Sequence, residues 1–158
     1  MSLPPLVTRL IGIGKYHEYL DLKPEGDINV EILEKVLKDE FTNSNPSHDI
    51  QIVTKDVTRD KIIEKINELG NTVNWSKATL FFFSGYGSCM VAGPSVICPA
   101  DIEKKDKGKG ITNEELLQYF DSLSRSYGNN IVSNSVNVTW SKIYIPHPLD
   151  IFTGLSLI

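Results

Sequence analysis

Lys77-Ala78-Thr79-Leu80-Phe81-Phe82-Phe83-Ser84-Gly85-Tyr86-Gly87-Ser88 decides how the rest of the chain is arranged. Residues 80–83 form a continuous apolar run. A run that short and that apolar suits a strand covered on both faces, as in the middle of a parallel sheet. The serine and glycines after it predict that the strand stops there in a sharp turn, presenting Tyr86 at its C-terminal edge. In open α/β sheets, ligands and chemistry collect at that edge. The plainer reading is a buried strand closed by a Gly-rich turn, with Tyr86 an ordinary rim aromatic.

The 158 residues suit one domain with a real core, and 41% hydrophobic and 23% charged residues are ordinary for a globular chain. The net charge is −4 with no basic block, so neither nucleic acid nor an anionic membrane is implied as a partner. Cys89 and Cys98 are too few and too widely spaced for a zinc site, and no metal or cofactor is implied. The N-terminus has no charged region followed by an apolar one, and no apolar run approaches a membrane span. A cytoplasmic location is the expectation. Asn74-Trp75-Ser76 and Asn137-Val138-Thr139 match the glycosylation triplet, which means little without secretion.

Outward from the central run, residues 6–14 read as a first strand closed by Gly12 and Gly14. The third glycine of a dinucleotide loop is missing, and Lys15-Tyr16-His17 follows instead of a helix. Residues 16–25 read as a polar connection. Residues 27–40 are predicted helical, with Asp27 as N-cap and Ile28, Ile32, Leu33, Val36 and Leu37 on the buried face. Residues 49–54 read as a second strand, with His48 solvated at its start. Thr58 caps a second helix that buries Ile62, Ile63, Ile66 and Leu69 and ends at Gly70. Val96-Ile97-Cys98-Pro99 reads as a short extra strand stopped by proline. Thr112-Asn113-Glu114-Glu115 is a capping box for a third helix, running to about residue 124 and burying Leu116, Leu117, Phe120 and Leu123. Strand and helix alternate, so the expected class is α/β: a three-layer α/β/α sandwich on a mostly parallel sheet. A further strand should follow the third helix, entered at Gly128-Asn129-Asn130-Ile131.

Taken together, these residues resemble the caspase fold of cysteine peptidases in its metacaspase-like, fungal form. The likeness rests on Leu10-Ile11-Gly12-Ile13-Gly14-Lys15-Tyr16, Thr58-Arg59-Asp60-Lys61-Ile62-Ile63, residues 80–88, and Ile97-Cys98-Pro99-Ala100-Asp101 with Gly110-Ile111-Thr112. The third of these resembles the family's strand ending in Ser-Gly-His-Gly-Ser. The resemblance covers residues 6–131 and implies a peptidase domain over 1–131, cut short after its third helix. It also implies a first specificity pocket that includes Ser84, whose acidic partner would fall near Asn29, with Asp27 beside it as a substitute. Asp101 matches the family's Cys-Pro-x-Asp loop, or simply caps a turn.

The catalytic dyad of the resembling family is not matched. Its histidine position holds Tyr86, and a phenol with a reference pKa of about 10 stays protonated at neutral pH. Such a group cannot alternate as base and acid the way imidazole does. The cysteine should follow Ile131 within a short segment, at roughly the 50-residue spacing of caspases. Val132-Ser133-Asn134-Ser135-Val136 stands there instead, so no nucleophile is assigned. Residues 132–158 form a divergent, nearly uncharged tail. Val136, Val138 and Trp140 alternate as in a strand, Pro146-His147-Pro148 breaks it, and residues 149–158 read as an exposed apolar end without a partner. Reading through an intron after Ile131 would give such a departure. A sheet cut there would leave an apolar edge prone to aggregation.

Three functions follow from this reading. The first is a catalytically inactive caspase-like domain, a pseudoenzyme that binds a peptide or pairs with another caspase-like chain. The second is an active cysteine endopeptidase using Cys89 or Cys98 with His17 or His48. The third is a doubly wound domain that binds a small ligand.

Overall fold

Every residue of strand β1 (Leu6–Gly12) is buried, as the centre of a sheet requires. It is followed by α1 (Gly26–Phe41), β2 (Asp49–Val53), α2 (Arg59–Thr72), β3 (Ala78–Cys89), β4 (Ser95–Ile97), β5 (Ile111–Thr112) and α3 (Asn113–Tyr127). Two tail strands, β6 (Val138–Ser141) and β7 (Asp150–Gly154), complete the order. The computed structural model describes residues 5–21, 23–41, 48–72, 78–89, 95–103, 109–127, 138–141 and 150–154. The segment expected to enter a strand after the third helix, residues 128–131, lies outside them.

The chain is an α/β domain with a mixed sheet. Five strands run in the order β2-β1-β3-β4-β5. β1 is parallel to β2 and to β3, whereas β3–β4 and β4–β5 are antiparallel. The expectation of a mostly parallel sheet is therefore corrected. Only residues 90–94 separate β3 from β4. A parallel return needs a crossover of about a dozen residues or more, so the chain can only double back.

β3 alternates its apolar residues between two cores, as a strand covered on both faces must. Phe81 and Phe83 pack with Ile62, Ile66 and Leu69 of α2 and Leu116 of α3. The Phe81 ring meets Phe120 of α3 edge-on at 5.3 Å. Leu80 and Phe82 pack with Val30 and Leu37 of α1. Helices thus cover opposite faces of the sheet.

Local signals are confirmed where the partner lies within the same turn. Thr58 Oγ1 accepts the Lys61 amide at 3.3 Å. In the capping box, the Glu115 amide donates to Thr112 Oγ1 at 3.1 Å and the Thr112 amide to Glu115 Oε2 at 2.9 Å. Other boundaries differ. β3 does not stop at Ser84: it runs on to Cys89, because its later residues pair with β4 and β7. α2 passes through a buried Gly70 to Thr72, and α3 reaches Tyr127 with Leu117 exposed and Tyr119 packed in its stead.

α1 is rotated from the expected face. Val30 and Leu37 are buried while Ile28, Ile32 and Val36 are exposed. The cause sits at its first residue. A Cβ on Gly26 would run into the Ser84 carbonyl oxygen and lie 2.6 Å from the Ile13 nitrogen. That backbone approach turns the face of residues 26, 30, 33 and 37 inward. Asp27 is accordingly not the N-cap. The helix opens one residue earlier, with the Asn29 amide donating to the Glu25 carbonyl at 2.9 Å.

The tail is not without a partner. β6 and β7 pair antiparallel, and β7 lies antiparallel to β3 from Phe83 to Gly87. Phe83 and Ser84 already pair with β1, so β7 occupies the other edge of β3, which the sequence left open. No helix among the described residues is long and apolar enough to cross a membrane.

One charge is built into the core. Arg9 on β1 is 2% exposed; its Nη1 donates to Asp49 Oδ2 at 3.0 Å, and its Nε lies 3.6 Å from Glu68 Oε2. Removing the guanidinium leaves two carboxylates facing a void. Arg9→Ala is expected to lower unfolding free energy in urea by about 3 kcal/mol, and Arg9→Met by less, because it keeps the packing. Equal stability of Arg9→Ala and the parent would contradict this account of the core.

Candidate functional site

The C-terminal end of β1 lies beside Ser84, midway along β3, with α1 leaving over one face and α2 arriving over the other. This is the switch point at which open α/β sheets leave a crevice. Gly12 pairs with Ser84, and the Ile13 amide donates to the Ser84 carbonyl at 2.9 Å. Ser84 is buried, and its hydroxyl accepts a 3.0 Å hydrogen bond from Asn29 Nδ2 in the first turn of α1. Two of the residues assigned to a specificity pocket are therefore in contact.

The other two are placed elsewhere. Asp27 lies beside them, but its carboxylate faces Gly14 and accepts the Ile28 amide at 2.9 Å. Asp101 serves α2: its Oδ1 accepts the Arg59 amide at 3.0 Å, and its Oδ2 lies 3.8 Å from Lys109 Nζ. A carboxylate on the first amide of a helix satisfies a donor that the helix itself leaves free.

Tyr86 sits on β3 two residues beyond Ser84. It is 5% exposed, and its ring stacks on Tyr16 with centroids 5.2 Å apart. The Tyr86 amide donates to the Tyr16 hydroxyl at 2.7 Å, and that hydroxyl donates to the Cys98 carbonyl at 3.0 Å. The Cys98 amide in turn donates to the Tyr86 carbonyl at 2.9 Å. A Cβ on Gly85 would meet the Tyr16 oxygen at 3.0 Å and the Phe83 ring at 2.8 Å. Gly85 is thus a place of close approach, not a turn.

Electrostatics keep both phenols protonated. Burial first, and then the neighbouring Cys98 thiol, pushes Tyr16 well above its ordinary pKa against a smaller lowering by the Tyr86 backbone. Burial first, and then the Asp21 carboxylate, raises Tyr86 against a smaller lowering by a hydrogen bond with the Lys23 backbone. Neither phenol can take a proton from a thiol at neutral pH. The Cys98 side chain is 1% exposed. His48 Nδ1 accepts the Leu6 amide at 2.7 Å, at the opposite end of β1 from this edge. Among the described residues, no group of three or more His, Cys, Asp and Glu side chains could hold a metal ion.

Tyr16 is the residue that sequence reasoning missed. The sequence pattern places it in a polar connection, yet it is buried in the main core. Its partners lie 70 and 82 residues away, so no local pattern announces it. No family model matches the chain, and no curated protein matches it in sequence.

Tyr16→Phe keeps the ring and strands the Tyr86 amide and the Cys98 carbonyl. A loss of about 2 kcal/mol in thermal or urea unfolding is expected. Because the folded-state pKa of Tyr16 is raised, its contribution is complete below about pH 10 and is lost as pH climbs through the folded value. Parent stability should fall above about pH 10 more steeply than that of Tyr16→Phe. Indistinguishable alkaline profiles would contradict the burial of this phenol.

Proposed function

We propose that the chain is a non-hydrolytic domain on the caspase-like three-layer plan, which binds a peptide or partner segment where the C-terminal end of β1 meets Ser84 of β3. The order of elements through α3 and the Ser84–Asn29 contact at the switch point support this reading. The observation that carries it is Tyr86. The position matched to the family histidine holds a buried phenol whose backbone is bound on both sides by Tyr16 and Cys98. That arrangement serves a continuous sheet and supplies no base. The buried Cys98 offers no attacking thiolate at the surface.

The buried Ser84 hydroxyl and the Asn29 amide are bonded to each other there, and on this reading they would part to hold a backbone or a polar side chain. β2 stands at the outer end of the sheet order, and a second caspase-like chain would add to the sheet there.

Tyr86→His alone is expected to restore no peptidase activity, since the missing thiol is not replaced. Fluorogenic peptides with Arg, Lys or Asp at the cleaved position, with and without calcium, should report no turnover by the parent or the variant. A thiol-reactive peptide should leave both unlabelled. Hydrolysis by pure protein that disappears in Cys89→Ser or Cys98→Ser would overturn the proposal.

A further inference from the structure

Beside the switch point, the exits of β1 and β2 enclose a second feature, a crevice of about 300 Å³. Its apolar lining is Ile13, Val57 and Ala100, all of them buried. Its polar lining is Lys15, His17, Thr54, Lys55 and Asp56. Lys15 and His17, both exposed, flank the buried Tyr16 along the β1 exit.

The walls come from three separate segments that are tied together. The His17 amide donates to the Ala100 carbonyl at 2.9 Å, and the Ala100 amide to the Val57 carbonyl at 2.8 Å. Asp56 adopts φ 49°, a left-handed conformation that aspartate tolerates better than most residues, and its carbonyl accepts the Thr58 amide at 2.7 Å. The crevice is therefore formed before any ligand arrives, which lowers the cost of binding.

Its charge is unspent. Lys38, Lys61, Lys65 and Lys109 each face a carboxylate within ion-pair distance. Among the described residues, Lys15 and Lys55 make no such pair, as Lys23 and Lys35 do not. The nearby N-terminus of α2 adds little, because Asp101 and Thr58 already take its Arg59 and Lys61 amides. Lys15, His17, Thr54 and Lys55 all contribute to the lining, and between them they carry two ammonium groups, an imidazole and a hydroxyl. A carboxylate has two oxygens to offer such a set, whereas a phosphate monoester has three anionic or acceptor oxygens and up to two charges.

We propose that this crevice binds the phosphate group of a small phosphate monoester, with Lys15 and Lys55 as its charged contacts. The apolar floor of Ile13, Val57 and Ala100 takes the first carbons of the ester. The volume lies at the small end of ligand pockets, which suits a phosphate with a short carbon body. The Asp56 carboxylate on the same lining opposes the anion and limits its affinity. Its lining includes neither Ser84 nor Asn29, although Ile13 adjoins Ser84, and the proposal does not rest on the peptide-binding reading.

Calorimetric titration of the full chain with inorganic phosphate, glycerol 3-phosphate and acetate tests it. Saturable binding of both phosphates is expected, glycerol 3-phosphate the tighter, with acetate much weaker. The double variant Lys15→Gln/Lys55→Gln should lose about tenfold or more in phosphate affinity. Its melting temperature without phosphate should stay at the parent value, because both side chains are exposed. Asp56→Asn should bind phosphate more tightly than the parent. Absence of phosphate binding by the parent, equal affinity in the double variant, or acetate binding as tight as phosphate would each overturn the assignment.

Discussion

One hydroxyl group makes the sheet continuous. Along one edge, β3 first pairs with β1 running parallel, up to Ser84, and then with β4 running antiparallel, from Gly87. At the change of partner and direction, the amide and carbonyl of Tyr86 fall between the two ladders. The Cys98 amide takes the carbonyl, and the Tyr16 hydroxyl takes the amide while donating to Cys98. A buried amide left without a partner costs about 1–3 kcal/mol, so this bridge decides whether β3 can run on to Cys89. Tyr16 fills the gap because it leaves the end of β1, the strand whose pairing has just stopped.

The functional reading follows from the same constraint. Tyr86 is stacked, buried and held by its backbone, so it serves the sheet and is not a mobile, titratable ring of the kind a proton-transfer site needs. Asp101 and Cys98 share that character: one caps α2 and the other closes the β3–β4 seam. The two sites proposed for recognition flank Tyr16. Ser84 and Asn29 sit on the β3 side, and the lysine-lined crevice on the β2 side.

Features governed by near neighbours were legible in the sequence. The apolar run of β3, the stripe of Ile62, Ile66 and Leu69, and the caps at Thr58 and Thr112 all depend on residues within a turn or two. Features governed by distant contacts were not. The face of α1 is set by Gly26 against Ser84, 58 positions on by their numbers, and periodicity alone favoured the stripe of Ile28, Ile32 and Val36. Gly85 carries the same letter whether it makes a turn or admits a close neighbour, and the neighbour is Tyr16. The switch of β3 to antiparallel partners was readable in principle from the shortness of residues 90–94. Nothing local in Ser84 or Asn29 points to the other, and the resemblance suggested only that both belong to one pocket.

The most direct test of the continuous strand is native-state hydrogen exchange at the Tyr86 amide. The account predicts an exchange free energy close to that of global unfolding, falling selectively at Tyr86 in Tyr16→Phe. Exchange of the Tyr86 amide as fast as that of an open turn, unchanged in the variant, would contradict it.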